Sequence, residues 1–106
     1  MGKLSRTKGA SLEREFVRLM RSIWPDATRN YEQAAKSDGR DVLHTPGFCV
    51  QLKGGKAPPW KAGLREAEGS ADTNEVAFCA TRKDHEGWVV HIPLAGFKLV
   101  LKGEMR

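Results

Sequence analysis

The sequence predicts a single α/β domain in which helices flank a central mixed β-sheet, in the order α-β-β-β-α-β-β. An apolar stripe of helical period opens the chain, strand-like runs separated by turn residues follow, and a shorter helical segment divides these runs. The 106 residues are enough for one core, and 40% apolar with 29% charged residues is the composition of a globular domain. We therefore expect one domain over residues 1–106.

The first helix is predicted over residues 11–24, after a flexible basic arm at residues 1–10. Ser11 has the side chain of a helix N-cap, and Pro25 ends the helical pattern. Apolar residues recur after the cap at helical spacing and predict the face that packs on the core. These residues are Leu12, Phe16, Leu19, Met20 and Ile23.

Three short strands are predicted next, with turn residues between them. They span residues 27–33, 41–43 and 48–53. In the third strand Phe48, Val50 and Leu52 point to one face of the sheet, because side chains alternate along a strand. The opposite face of that strand then carries Gln51 and Lys53.

The second half of the chain continues with a helix and two strands. A short helix is predicted at about residues 59–68, although Gly63 weakens it. Strands are predicted over residues 75–81 and 88–92, joined by a polar turn. Pro93 begins a last segment whose Leu94, Phe97 and Leu101 are expected to pack back on the core.

Cysteine usage and hydropathy indicate the compartment. Cys49 and Cys79 lie in apolar strand-like runs without CxxC spacing, so we expect small core residues in a reducing compartment rather than a disulfide or a zinc site. No apolar run has the length of a membrane span or of a signal peptide. The prediction is a cytoplasmic protein of a prokaryotic or phage-infected cell, without a membrane partner.

A carboxylate, an amide and a lysine are predicted to converge at one edge of the sheet. Asp41 starts one strand, a Pro-Gly turn follows, and Gln51 and Lys53 lie on the next strand. Mg²⁺ prefers oxygen ligands, which Asp41, the Gln51 amide and the Leu52 backbone carbonyl can supply. Lys53 can then orient the attacking water or stabilise charge on a phosphoryl group. Alternatively, Asp41 is a turn residue and the other two line the wet side of a half-buried strand.

The chain also resembles a known family. The run KGASLEREF at residues 8–16 resembles the KGxxxERE(L/F) opening of the archaeal Holliday-junction resolvases, which have the restriction-endonuclease-like PD-(D/E)XK core. GRDVL resembles the family's aspartate strand and VQLKGG its ExK strand, while EVAFCATR and GWVVHIPL resemble its closing strands. The match runs in order over residues 8–94.

The resemblance implies a site and an activity. It makes Glu13 a metal-site carboxylate and Arg14 a DNA contact, and it sets Asp41, Gln51 and Lys53 at the family's Asp, Glu and Lys positions. It implies a homodimeric, Mg²⁺-dependent endodeoxyribonuclease that cuts four-way DNA junctions, with Mn²⁺ as a substitute metal. Glu13 would act directly or through water, and Glu32 and Asp38 are rival carboxylates, although Asp41 better borders a strand.

Gln51 departs from the family's glutamate and weakens the expected metal site. Three functions therefore stay open: a junction-selective endonuclease, a phage, restriction or repair nuclease acting on duplex, flap or single-stranded DNA, and a non-catalytic DNA-binding module. The net charge of +5 favours a polyanion in each case. The basic residues expected at DNA are Lys8, Arg14, Arg18, Arg29, Lys36, Arg40, Lys56 and Lys61. Trp60 is expected in the core rather than against an exposed base.

Overall fold

The structure, a computed structural model, describes residues 2–30 and 40–103, with side chains for residues 9–30 and 40–103. It is an α/β domain with a mixed sheet, as the sequence predicts. The elements in chain order are α1 (Gly2–Met20), β1 (Thr28–Arg29), β2 (Val42–Leu43), β3 (Phe48–Gly55), α2 (Trp60–Ser70), β4 (Val76–Lys83), β5 (Trp88–His91) and α3 (Leu94–Leu101). The predicted order is confirmed, and α3 extends it.

The main sheet has the strand order β3-β4-β5. β3 and β4 are parallel, and β4 and β5 are antiparallel. A parallel pair needs a crossover connection, and α2 provides it. β1 and β2 form a separate antiparallel pair, which a hydrogen bond from the Asp41 N–H to the Val50 carbonyl (3.0 Å) joins to β3.

The main core lies between α1 and one face of this sheet, which we call the α1 face. Its buried residues are Phe16, Val17, Ala27, Val42, Val50, Leu52, Phe78 and Ala80. The ring of Phe16 packs against that of Trp88 with a centroid distance of 5.2 Å. The prediction that Leu19 and Ile23 belong to the core was wrong, since they are 48% and 66% exposed. Val17 is buried in place of Leu19, and Ile23 lies beyond the end of α1.

The predicted bounds of the first helix were also wrong. The helix begins at Gly2 and ends at Met20, so residues 2–10 belong to it and do not form a separate arm. No proline interrupts residues 2–20, and the interior Gly9 costs only about 1 kcal/mol of helix propensity. A serine such as Ser11 marks a helix start only where the preceding residues cannot be helical.

α2 packs on the opposite face of the sheet, which we call the α2 face. Gly63 and Ala67 are its buried residues. A Cβ atom at Gly63 would lie 2.5 Å from the Cys79 Sγ and 3.0 Å from the Lys53 Cγ. The glycine that weakens the helix in isolation therefore allows α2 to approach the sheet closely. Cys49 and Cys79 are fully buried, which confirms the prediction that they are small core residues.

Replacing Gly63 by Ala is expected to lower the free energy of unfolding by about 1–3 kcal/mol, because the added methyl group overpacks the contact with Cys79. Helix propensity acts in the opposite direction by about 1 kcal/mol. Gly69→Ala in the same helix is the matched control, since among the described residues no atom outside its own stretch of helix lies within 4 Å of its added Cβ. Urea denaturation of both variants measures the difference, and an equal stabilisation of both would show that the close approach is unimportant.

The last segment forms α3, and the prediction that it packs back on the core was wrong. None of its residues is buried, and Leu94 and Leu101 are 72% and 69% exposed. The side of α3 with Gly96 approaches β4, where an added Cβ would lie 2.7 Å from Val76. Because that contact uses the smallest residue of the helix, the large side chains are left on its outer side. No helix within the described residues is long and apolar enough to cross a membrane.

Candidate active site

Two polar residues of β3 lie on the α2 face. Gln51 stands opposite Cys79 of β4, and Lys53 stands opposite Thr81. Residues opposite each other in a ladder point to the same face, and the close approach of Gly63 to Lys53 and Cys79 shows that this face is the one under α2. The structure therefore brings Gln51 and Lys53 to one face, as the alternation in β3 predicts.

The carboxylate of Asp41 lies at the edge of β3 that faces β2. It is buried, with 7% of the residue exposed, and its Oδ2 accepts a hydrogen bond of 2.7 Å from the Leu52 N–H. The N–H and C=O of one strand residue point to the same side, so the Leu52 carbonyl faces this edge as well. Asp41 and the Leu52 backbone thus meet beside the strand that carries Gln51 and Lys53.

Gln51 is the largest fully buried side chain of the described residues, with 1% exposed. Its amide nitrogen Nε2 has no hydrogen-bond partner among them. A buried donor left without a partner costs about 1–3 kcal/mol. The two ends of a glutamine amide have the same shape, so the group can also turn its oxygen to this position. The site therefore contains a buried amide with unused capacity for a ligand.

Lys53 is held by a carboxylate that the sequence analysis missed. Its Nζ lies 2.9 Å from the Oε2 of Glu66 on α2, with side-chain exposures of 27% and 49%. The small residues Gly63 and Ala67, four apart, mark the side of α2 that faces the sheet, and Glu66 borders that side. This spacing was the available signal, but it does not identify which strand residue the carboxylate meets.

The Cys79 thiol is not a candidate nucleophile or metal ligand. Burial raises its pKa to about 11, Lys53 opposes the rise, and the charges of Asp41 and Glu66 add to it. The thiol is therefore protonated at neutral pH and is a poor nucleophile and metal ligand. The charges of Asp41, Lys53 and Glu66 thus all act on this thiol.

Glu13 is connected to the strand pair beside Asp41. It belongs to α1, which packs on the α1 face, and its Oε1 accepts a hydrogen bond of 2.9 Å from the Nε of Arg29. Arg29 stands opposite Val42 in the β1–β2 pair, one residue from Asp41. Glu13 therefore reaches the strand pair that positions Asp41 through Arg29.

The basic residues that are predicted at DNA and described by the structure fall into two groups. Arg14, Arg18, Lys56 and Lys61 are exposed. Arg29 is engaged by Glu13 as described, and the guanidinium of Arg40 binds both carboxylate oxygens of Glu75 (3.0 and 2.9 Å) and the Ser70 carbonyl (3.1 Å). The Lys8 side chain, Lys36 and the rival carboxylates Glu32 and Asp38 lie outside the described residues.

The expectation that Trp60 is a core residue was wrong. It is 40% exposed, and its indole stacks on the imidazole of His91 with a centroid distance of 4.8 Å. Being the first residue of α2, it lies where the helix has only begun to cover the sheet. The other tryptophans behave as core residues: Trp24 and Trp88 both pack against the main core.

The described residues contain no cluster of three or more His, Cys, Asp or Glu side chains that could hold a metal ion. Hard cations also accept amide and backbone oxygens, which Gln51 and Leu52 carry. Comparison with protein-family models, curated proteins and solved structures finds no match to this chain.

Proposed function

We propose that the chain is a metal-dependent DNA endonuclease with the PD-(D/E)XK core, selective for four-way junctions. The order α-β-β-β-α-β, with β3 parallel to β4 through the α2 crossover, agrees with the fold that the motifs imply. One observation carries the proposal: the buried Gln51 amide has no partner for its Nε2 among the described residues, and it lies on the strand that carries Lys53 and whose edge meets the Asp41 carboxylate. An unsatisfied buried amide is costly, and turning the amide so that its oxygen takes the position of Nε2 would let a bound cation offset that cost.

A divalent cation fits this set of donors. Asp41 would supply the anionic oxygen, and the Gln51 amide and the Leu52 carbonyl would supply neutral ones. Mg²⁺ accepts such oxygens and keeps several waters, and Mn²⁺ accepts them too. Once bound, the cation would lower the pKa of a water molecule and polarise the scissile phosphate. A neutral amide in place of a carboxylate predicts weaker metal binding than a site with two acids.

Lys53 would stabilise negative charge on the phosphoryl oxygens. In the absence of DNA its ammonium is paired with Glu66, which holds Nζ at the mouth of the site. A phosphate group can compete for this partly exposed ammonium, because an ion pair open to solvent is weak. Glu66 is thus a positioning residue for Lys53 in this proposal.

A homodimer would let two strands be cut symmetrically, and the region of β5 and α3 is the candidate surface. Of ten large apolar side chains that are exposed among the described residues, seven lie within residues 89–101. Patches of this kind mark interaction sites. The α3 sequence LAGFKLVL contains one charged residue, Lys98, so two copies with a net charge of +5 can meet there with little repulsion.

A non-catalytic DNA-binding module is the second candidate. It is favoured by the charge of the site, because Gln51 is neutral and Glu66 already pairs with Lys53. This candidate predicts junction binding that needs no metal and yields no product at any metal concentration.

Cleavage of a labelled four-way junction beside a duplex of matched sequence, with Mg²⁺ or with EDTA, separates the candidates. The proposal predicts paired, symmetric nicks in the junction in Mg²⁺ and none in EDTA. Equal cleavage of both substrates would retain the nuclease and remove the junction selectivity. Tight junction binding without product in Mg²⁺ or Mn²⁺ would favour the binding module.

A further inference from the structure

We propose that Trp60 is a stacking platform for an unpaired nucleobase beside the proposed active site. This deepens the proposed function and rests on it, since it names the form of DNA that the site receives. An exposed indole stacks on any base, because every base has a π-face. The ligand class is therefore an unstacked base of a junction centre, a flap or a single strand, without a required sequence.

The geometry of the indole supports a prepared binding surface. The ring of Trp60 lies 9° from parallel to the His91 imidazole, at a centroid distance of 4.8 Å. One face of the indole is therefore covered by His91, the ammonium of Lys61 lies over the ring, and the residue as a whole is 40% exposed. A large apolar surface held in one orientation loses little side-chain entropy when it binds.

His91 is itself held in place. Its Nε2 lies 3.0 Å from the Oγ1 of Thr81, within hydrogen-bond distance. Thr81 is buried in the sheet, so it gives the imidazole a rigid anchor. The three side chains form a stack from the sheet to the surface, with Trp60 as its outer layer.

This stack lies next to the proposed site. Thr81 is the residue of β4 that stands opposite Lys53 of β3. Adjacent strands are about 4.8 Å apart, so the backbone under the stack lies on the order of 5–10 Å from Lys53. A nucleotide whose base stacks on Trp60 therefore has its phosphate within reach of the neighbourhood of Lys53.

The charge around the ring suits a nucleotide. The Nζ of Lys61 lies over the Trp60 ring at 5.6 Å from its centroid, and Lys61 and Lys56 are both exposed. A stacking base would move this flexible, solvent-exposed ammonium to the edge of the ring. A base on the indole can thus place its phosphate near an ammonium group. Aromatic and cationic groups together are the combination by which proteins bind single-stranded nucleic acid.

The test is binding of a fluorescent oligo(dT) strand and of a paired duplex, at low salt in EDTA, so that no cleavage is needed. Trp60→Ala is expected to weaken oligo(dT) binding by about 5- to 150-fold and duplex binding by less than about two-fold, while Trp60→Phe keeps most of the affinity. Ile23→Ala, which removes another exposed apolar side chain, is the control and should change neither. Urea denaturation of each variant confirms that it is folded.

The outcomes separate this inference from the proposed function. Unchanged oligo(dT) binding by Trp60→Ala, an equal loss for strand and duplex, or no strand binding by the wild type would each overturn the platform. If the wild type cleaves the junction and Trp60→Ala binds oligo(dT) normally, the nuclease proposal stands and the stacking role of Trp60 is refuted. If Trp60→Ala selectively loses oligo(dT) binding and the wild type cleaves no DNA, the stacking role of Trp60 stands and the nuclease proposal is refuted.

Discussion

Asp41→Asn is expected to lower DNA cleavage by at least about 1,000-fold, because the charged ligand of the proposed metal site is lost and a metal's stabilisation of the transition state amounts to several kcal/mol. The substitution is matched in shape. An asparagine oxygen can still accept the Leu52 N–H that Asp41 Oδ2 accepts at 2.7 Å, so the sheet edge should keep its structure. Initial rates of junction cleavage in Mg²⁺, with junction affinity in EDTA, measure the effect.

Binding of the junction by Asp41→Asn should stay the same or become slightly tighter, since a negative charge is removed from the path of a phosphate. Asp26→Asn is the control, because Asp26 is exposed and lies outside the site. Asp41→Ala adds a separate effect: it leaves the buried Leu52 N–H without its acceptor, which costs about 1–3 kcal/mol of stability. Wild-type cleavage by a folded Asp41→Asn protein would make Asp41 a structural residue of the sheet edge and would refute the proposed site.

Local patterns in the sequence predict the strand that carries the site. The alternation in residues 48–53 gives both faces of β3 correctly, because one face meets the apolar core. The Pro46-Gly47 turn, in which Gly47 has a φ of 85°, brings Asp41 back beside Val50 and Leu52. Both predictions depend on residues close in sequence, where turn chemistry and side-chain period decide the structure.

Contacts between distant residues account for what the sequence did not predict. Glu66 meets Lys53 only because α2 crosses over the sheet with Gly63 against Cys79. The exposure of Trp60 likewise depends on where α2 begins relative to His91. The contact of Glu13 with Arg29 likewise joins α1 to β1, which lies 16 residues further along the chain. No periodicity in the chain encodes these packing arrangements.

Gln51→Met is expected to raise stability and remove activity in the same protein. Methionine has nearly the shape of glutamine, and it removes the amide whose Nε2 has no partner in the part of the chain that the structure describes. Eliminating a buried unsatisfied group should raise the free energy of unfolding by about 1–2 kcal/mol. Loss of the amide oxygen should lower Mg²⁺-dependent cleavage by at least about 100-fold, as a metal ligand is lost. Urea denaturation and junction cleavage on one preparation measure both effects.

Gln51→Glu tests the same position in the opposite direction. A carboxylate at a site that is 1% exposed, near Asp41, should destabilise the metal-free protein by several kcal/mol, because two like charges are buried together. Mg²⁺ binds the folded state alone, and the second carboxylate of Gln51→Glu should make it bind more tightly. Mg²⁺ should therefore raise the melting temperature of Gln51→Glu more than that of the wild type. A structural amide predicts otherwise: both variants would be less stable than the wild type, and Mg²⁺ would shift neither. A substitution at Gln51 that raises the free energy of unfolding and lowers the cleavage rate would therefore show that this residue serves binding rather than packing.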